Sequence, residues 1–224
     1  MFNLCDTFDG TDTLNVNSFI FNLSISIGGA VQHNTGIDDI CRTMNDSSGG
    51  TPLQRYAKVH GFPGGDDCID VKFTDLVKSY NDTTKGFVGV KQWTYQMCTE
   101  FGFFWTTDLK DCLFGHNIPL HFYIQICNDL FGPQITVQTI QKAVDTTNTY
   151  YGGRQPNVTN VVFPNGSLDP YHAMSVLHDL NNSTKAVVIS GHAHGDDMIY
   201  SANETQSLRD AHNLITNELQ EYLK

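Results

Sequence analysis

Two residues near the C-terminus have the side chains and the setting needed for acid–base chemistry. Asp169 follows the β-branched run 161–163, and His194 follows a second such run, 186–189. A serine hydroxyl is a poor nucleophile near neutral pH, so it needs a histidine to take its proton and a carboxylate to orient that histidine. Asp169 and His194 are therefore candidates for the acid and the base of a Ser-Asp-His triad.

The elements that carry these two residues alternate between strand and helix. The runs 161–163 and 186–189 predict strands, whereas the segments 172–180 and 205–223 have helical spacing. The apolar face predicted for the last helix consists of Leu208, Ala211, Ile215, Leu219 and Tyr222. Such alternation predicts parallel strands covered by helices, with ligands beyond the carboxyl ends of the strands. Both candidate residues lie just past those ends.

The turns around the two candidates are also informative. Pro170 follows the acid and Gly191 precedes the histidine, and we expect two tight turns that aim both side chains across one cleft. The chain order Ser, Asp, His is that of α/β-hydrolases, whose serine lies in a Gly-x-Ser-x-Gly turn. No such sequence occurs in the 224 residues. The chain is predicted to hold an acid and a base without their nucleophile.

The first 130 residues have a different character, with short apolar helices between Gly, Asn and Asp turns. Apolar residues recur at helical spacing in 37–44, 73–80 and 120–127, and each segment is predicted to bury one stripe. The cysteines, all in this region, are Cys5, Cys41, Cys68, Cys98, Cys112 and Cys127. No Cys-x-x-Cys pair is present, which favours disulfides, although spacing does not decide the pairing. We expect a helical, disulfide-tied domain at 1–130 and an α/β domain at 131–224.

Charge and hydropathy argue against two classes of partner. Asp and Glu number 24 against 13 Lys and Arg, a formal net charge of −11. Without a basic cluster to follow a phosphate backbone, nucleic acid is not expected as a partner. No apolar run is expected to reach the length of about 18 to 20 residues that a membrane-spanning helix requires, and no export signal is visible at the N-terminus, so no membrane association is expected.

The asparagines indicate residence outside the cytosol. Eight of the 18 asparagines are followed by x-Ser or x-Thr, the acceptor pattern for N-glycosylation. They are Asn165, Asn182 and the six candidate acceptors Asn22, Asn45, Asn81, Asn157, Asn181 and Asn203. Together with the cysteines they predict a secreted or lysosomal protein whose start lies upstream of Met1. The alternative is a cytosolic chain rich in Ser, Thr and Asn.

The segment 192–197, His-Ala-His-Gly-Asp-Asp, also allows a metal-centre interpretation. His-x-His-x-Asp-His opens the binuclear zinc site of metallo-β-lactamase-like hydrolases, but here the sixth residue is Asp197 and a single histidine, His212, follows. Too few nitrogen ligands remain for two metal ions. We therefore predict no metal and no cofactor, and expect His192 to line the pocket or the surface.

Three segments resemble a known family. Residues 160–170, Asn-Val-Val-Phe-Pro-Asn-Gly-Ser-Leu-Asp-Pro, resemble the catalytic aspartate segment of the family of lysosomal Pro-X carboxypeptidase, dipeptidyl peptidase II and thymus-specific serine protease. Residues 95–100, Tyr-Gln-Met-Cys-Thr-Glu, and 151–153, Tyr-Gly-Gly, are similar to two further stretches. His194 stands at the family's catalytic histidine. The resemblance spans most of the chain.

The resemblance implies the C-terminal part of an α/β-hydrolase fold preceded by a helical, disulfide-tied insertion domain. It implies a serine exopeptidase acting on short peptides through an acyl-enzyme, with Asp169 as acid and His194 as base. Tyr171 replaces the family's usual tryptophan and would keep an aromatic wall for the substrate. Glu100 would face a peptide amine, or else be a structural acid beside Cys98.

Two hypotheses follow for the function. In the first, the chain is part of a peptidase whose missing N-terminal portion carries the serine, so that the chain alone is inactive. In the second, it is a secreted, non-catalytic glycoprotein that acts as a binding or decoy module. A homodimer is a candidate assembly. The late strands alone would leave a bare sheet edge, which predicts poor solubility of the isolated chain.

Overall fold

A computed structural model describes residues 1–60, 68–82, 84 and 89–224. The α-helices within these ranges are α1 (Thr13–His33), α2 (Ile37–Asn45), α3 (Pro52–His60), α4 (Phe73–Asn81), α5 (Val90–Gln96), α6 (Leu120–Phe131), α7 (Val137–Tyr151) and α8 (Gln206–Tyr222). The strands are β1 (Val161–Gly166) and β2 (Thr184–Ile189). Shorter helical turns are the 3₁₀ turns Ser47–Gly49, Pro170–Met174 and Asp196–Met198 and the π-helical turn Met97–Phe101.

The chain divides into two compact units. The first comprises Met1–Ser26 and Thr43–Tyr150, and the second comprises Ile27–Arg42 and Tyr151–Lys224. The first unit thus extends to Tyr150, and a boundary between an insertion domain and a hydrolase domain at residue 130 stays a prediction. The assignment of the units to an insertion domain and a hydrolase domain stays a prediction.

The first unit is built from helices around an aromatic core. Its largest cluster of buried residues consists of Phe21, Phe73, Leu76, Ile118, Phe122, Tyr123 and Ile126. In a second cluster, Ile140 of α7 packs with Ile124 of α6. This contact ties α7 to the first unit, which is why the unit extends past residue 130.

Two disulfides hold the first unit, so the expectation of a disulfide-tied region is met in part. Cys5 pairs with Cys68, and Cys98 pairs with Cys127 across 29 residues. Of the remaining cysteines, Cys41 is exposed and Cys112 is half-buried, and neither is bonded. The prediction that the cysteines serve as disulfides therefore holds for four of the six.

Helix α1 is longer than the short helices predicted for this region. Its 21 residues are apolar and long enough to cross a membrane by length and composition, so the expectation that no segment meets that test is wrong. Its buried Asn17 donates a hydrogen bond to the Asn117 carbonyl at 2.6 Å, and Asn22 donates to the Asp70 carbonyl at 2.8 Å. Such polar contacts are those of a helix packed within a protein.

Helix α2 forms where its spacing predicts, but it buries no residue. Ile37, Ile40 and Met44 are half-buried and Cys41 is exposed. The predicted buried stripe is therefore wrong. Periodicity identifies the apolar side of a helix and does not tell whether another element covers it.

The strands β1 and β2 form a parallel pair in the second unit. Their register runs from Val161 opposite Thr184 to Gly166 opposite Ile189. Leu208 and Ala211 of α8 are buried against Ile189. The predicted strands and final helix are confirmed, and both strands are longer than their β-branched cores.

The helix predicted at 172–180 is wrong. Only the 3₁₀ turn Pro170–Met174 forms there. Beyond it, the Val176 carbonyl accepts a hydrogen bond from Asn165 Nδ2 at 3.1 Å, and Asp179 Oδ1 accepts from the Ala186 backbone N–H at 2.8 Å. These contacts with β1 and β2 hold the segment in a non-helical path in place of i to i−4 hydrogen bonds.

Candidate active site

Asp169 is placed by the turn that follows β1. It precedes the 3₁₀ turn Pro170–Met174, and its Oδ1 accepts a hydrogen bond from the Tyr171 backbone N–H at 2.9 Å. Pro170 suits the first position of such a turn because its φ is already fixed near the helical value. Asp169 is only 8% exposed. One carboxylate oxygen thus caps the turn, and Oδ2 is left for a second partner.

That second partner is His194. Its Nδ1 lies 2.7 Å from Asp169 Oδ2. Because an ionised carboxylate can only accept, Nδ1 carries the proton and Nε2 of the neutral ring is an acceptor. Nε2 makes no hydrogen bond to any residue that the structure describes, and the His194 side chain is 45% exposed against 12% for Asp169. A buried acid therefore holds a base whose other nitrogen is available.

The loop that carries His194 is bounded by two glycines in left-handed conformations. Gly191 has φ 76° and Gly195 has φ 75°, values that side chains other than glycine rarely adopt. Gly191 follows the end of β2, Gly195 precedes the 3₁₀ turn Asp196–Met198, and His194 lies between the two glycines. The tight turns predicted at Pro170 and Gly191 are confirmed.

The end of β1 is fastened directly to this loop. A Cβ added to Gly166 would lie 2.5 Å from the carbonyl oxygens of both His192 and Ala193. The Leu168 N–H donates to the His192 carbonyl at 2.9 Å, and Ser167 Oγ accepts from the Gly191 N–H at 2.9 Å. The Gly-Ser-Leu-Asp sequence therefore positions the histidine loop as well as the acid.

His192 holds the same loop from its other side. Its Nδ1 lies 3.0 Å from Asp196 Oδ2, and its Nε2 lies 2.6 Å from Oγ1 of Thr205, the N-cap residue of α8. Asp196 Oδ2 also accepts from the Ala193 N–H at 2.9 Å. Because both ring nitrogens of His192 make hydrogen bonds within the protein, neither is available to bind a metal ion or a substrate. His192 instead ties the loop to α8. Sequence reasoning placed it on the pocket wall or the surface.

Two aromatic rings contact the His194 ring. The Tyr171 centroid is 5.6 Å from it with an interplanar angle of 47°, and the His33 centroid is 5.7 Å from it at 77°. Tyr171 is half-buried, and its predicted role as an aromatic wall for the substrate stays a prediction. His33 belongs to the end of α1, and no sequence signal pointed to it.

A buried histidine lies beyond the loop. His212 of α8 has Nε2 2.9 Å from the Asp197 carbonyl oxygen and Nδ1 3.3 Å from Glu204 Oε2. The Ser201 backbone N–H and then His212 lower the pKa of the Glu204 carboxyl. The Tyr200 ring stacks on His212 at 4.2 Å. This cluster fixes the chain between the loop and α8, and sequence reasoning did not find it.

Glu100 belongs to the first unit. It is exposed in the π-helical turn Met97–Phe101, two residues after Cys98. Its predicted role at a substrate amine remains a prediction, as does the structural alternative.

The glycosylation candidates differ in their accessibility. Those exposed are Asn45, Asn81, Asn157, Asn181 and Asn203. Asn22 is half-buried in α1, and its Nδ2, the atom that a glycan would modify, donates to the Asp70 carbonyl at 2.8 Å. Asn181 Nδ2 likewise donates to the Val158 carbonyl at 2.8 Å, and all of these acceptors stay predictions.

Within the described ranges, no group of three or more His, Cys, Asp or Glu side chains is placed to hold a metal ion. The nearest sequence candidate, the segment 192–197, has its carboxylate Asp196 already bonded to His192. His194 is bonded through Nδ1 to Asp169. His192, Asp196 and His194, the candidate metal ligands, thus make hydrogen bonds to one another or to Asp169.

The fold and this pair define a class. A buried aspartate that holds Nδ1 of an accessible histidine, both past the carboxyl ends of adjacent parallel strands, is the arrangement that orients the general base in Ser-Asp-His hydrolases. Comparison with known proteins makes the assignment more specific. The sequence profile described as "Serine carboxypeptidase S28" matches residues 1–215, and the chain belongs to this family of serine peptidases.

Individual relatives agree with the family assignment. The chain is 32% identical over 218 residues to thymus-specific serine protease of Mus musculus, covering 90% of this chain and 42% of that protein. It is 31% identical over 130 residues to lysosomal Pro-X carboxypeptidase of Homo sapiens, covering 56% of this chain and 25% of that protein. The resemblance read from the motifs is confirmed. The chain spans less than half the length of these relatives.

Proposed function

We propose that this chain supplies the acid and the base of a serine peptidase whose nucleophile lies outside the 224 residues of this chain. The observation that carries the proposal is the 2.7 Å contact between Asp169 Oδ2 and His194 Nδ1, with Nε2 unbonded among the described residues. Family membership over residues 1–215 supports a peptidase over other classes of hydrolase that contain an Asp-His pair.

The proposed reaction proceeds through an acyl-enzyme. His194 Nε2 takes the serine proton as the serine oxygen attacks the peptide carbonyl carbon, and the resulting imidazolium gives that proton to the leaving amine as the C–N bond breaks. A water molecule then attacks the ester, again losing its proton to Nε2, and the serine regains a proton as the acid product leaves. Asp169 keeps Nδ1 protonated and stabilises the imidazolium in both steps.

The proposed substrates are short peptides cleaved near one end. The name of the human relative, lysosomal Pro-X carboxypeptidase, supports proline on the acyl side of the cleaved bond. Tyr171, whose ring contacts that of His194, is proposed to form part of the wall against which the substrate lies. Glu100 is kept as a candidate for contact with a peptide amine.

The proposed location is the lysosome or the extracellular space. Two disulfides favour an oxidising compartment during folding, and the exposed sequons support passage through the secretory pathway. The relative named as lysosomal points in the same direction.

The test uses the complete gene product and a fluorogenic peptide that contains proline. We expect hydrolysis that falls about 10⁴-fold or more in His194→Ala, because loss of a triad member leaves only binding and the oxyanion hole. His178→Ala, which changes an exposed histidine of the same unit, is the matched control and is expected to keep full activity.

Three outcomes would overturn the proposal. They are a folded complete protein without peptidase activity, activity that survives His194→Ala, and His194-dependent activity of the 224-residue chain by itself. The first of these would favour the non-catalytic secreted binding module.

A further inference from the structure

We infer that the C-terminal end of α1 is a positioning element for His194, with the Gln32 carbonyl fixing its backbone and the His33 ring fixing its imidazole. The inference rests on the proposed function for its catalytic consequence. All of the residues involved belong to the second unit, to which Ile27–Arg42 contributes.

The backbone hydrogen bond between Gln32 and His194 gives a partner to a carbonyl group at the end of α1. The last carbonyl groups of an α-helix have no intrahelical donor. Here the Thr35 N–H reaches back to the Ala30 carbonyl at 3.0 Å, with Asn34 in a left-handed conformation at φ 47°. The Gln32 carbonyl instead accepts from the His194 N–H at 3.0 Å. The helix end and the histidine loop therefore satisfy each other's backbone groups.

The contact between the His33 and His194 rings restrains a motion of the His194 ring that its hydrogen bond to Asp169 does not prevent. The hydrogen bond to Asp169 fixes one atom of the His194 ring and still allows the ring to tilt about that bond. The His33 ring meets it in an edge-on arrangement, with centroids 5.7 Å apart and an interplanar angle of 77°, which lies in the favourable range for aromatic pairs. His33 is exposed and makes no hydrogen bond through its ring to any other described residue. Its contact with His194 is thus one of packing.

The test observes the Nδ1 proton of His194 by NMR in the complete gene product labelled with ¹⁵N-histidine. An imidazole N–H bonded to a carboxylate gives a separate downfield resonance, which Asp169→Asn identifies by removing it. In His33→Ala we expect this proton to exchange with water about 3- to 10-fold faster, as the loss of an aromatic pair predicts. In His33→Phe, which keeps a ring, we expect the original rate.

The controls separate packing from other roles of His33. His33→Leu removes the ring and keeps apolar bulk, so it should behave as His33→Ala does, whereas His178→Ala should change nothing. In the peptidase assay, His33→Ala should lower kcat by a similar factor and leave KM unchanged, because the substrate contacts are intact. The remaining histidine resonances report whether each variant is folded.

The outcomes distinguish this inference from the proposed function. If the downfield resonance is present and His33→Ala leaves its exchange unchanged, or if His33→Phe resembles His33→Ala, the positioning role of His33 is overturned and the peptidase proposal stands. If the folded wild-type protein lacks the resonance altogether, the bond between Asp169 and His194 is itself overturned, and the proposed function fails with it.

Discussion

Asp169 divides its two carboxylate oxygens between two tasks. Oδ1 caps the turn that begins at Pro170, and Oδ2 holds Nδ1 of His194. The first contact fixes the carboxylate against its own backbone, so the second is made by a group that is already oriented. The proposed role of His194 as general base would require preorganisation of this kind, since a small displacement of a reacting group costs much of the rate.

Gly166 is the residue whose substitution should disturb this arrangement without touching either member of the pair. In Gly166→Ala, the new methyl group would meet two carbonyl oxygens of the histidine loop at 2.5 Å. We expect the free energy of unfolding to fall by about 3 kcal/mol, measured by urea denaturation, with loss of peptidase activity in the complete protein.

The matched control is Gly29→Ala in α1, where an added Cβ meets nothing within 4 Å. It should raise the stability by up to about 1 kcal/mol, since alanine is the better helix former. Equal effects of the two substitutions would show that the close approach at Gly166 is not the cause.

At the scale of elements, the Cys98–Cys127 disulfide ties the π-helical turn to α6. Both cysteines are almost fully buried, and the bond closes a loop of 29 residues. By the chain-entropy relation, replacing both with alanine should destabilise the protein by about 3 to 4 kcal/mol. Thermal denaturation should show a lower Tm, while Cys41→Ser, at an exposed unbonded cysteine, should leave it unchanged. A Tm unaffected by the double substitution would contradict this role.

The Asp179 carboxylate, which accepts a hydrogen bond from β2, is expected to make the free energy of unfolding depend on pH. A hydrogen bond from the Ala186 N–H, and then one from Lys185, hold the pKa of its carboxyl below the ordinary value. A lowered pKa in the folded state means that this contribution is present above the unfolded pKa of about 4 and is lost as the pH falls below it. We therefore expect Asp179→Asn to flatten the decline in unfolding free energy below about pH 4. Parallel curves for variant and wild type would contradict this.

Features that depend on neighbouring residues in the sequence could be predicted, whereas features that depend on contacts between distant residues could not. The turns at Pro170 and Gly191 follow from local backbone preferences, so the candidate pair could be read from the chain. His33 could not, because its contact with His194 joins residues far apart in sequence. The helix expected at 172–180 failed for a related reason, since side chains of Asn165 and Asp179 hold that segment by hydrogen bonds that spacing does not show.

At the scale of the whole molecule, the described sheet consists of two strands, whose outer edges have no strand beside them in the described ranges. Val188 of β2 is 50% exposed and Leu219 of α8 is 51% exposed, although Leu219 was predicted on the buried face. These surfaces fit a chain that spans less than half the length of its relatives. We expect the isolated chain to associate through them, as light scattering would show. A monodisperse, cooperatively melting monomer would contradict this.

The central claim, that Asp169 and His194 act as one unit on a nucleophile held elsewhere in the protein, is tested most directly by a double-mutant cycle on kcat. The complete gene product is compared with Asp169→Asn, His194→Ala and the double variant, using a peptide that contains proline. If the pair acts as a unit, the double variant is no slower than His194→Ala alone. If the two losses multiply, the residues act independently, and the proposed acid–base pair is contradicted.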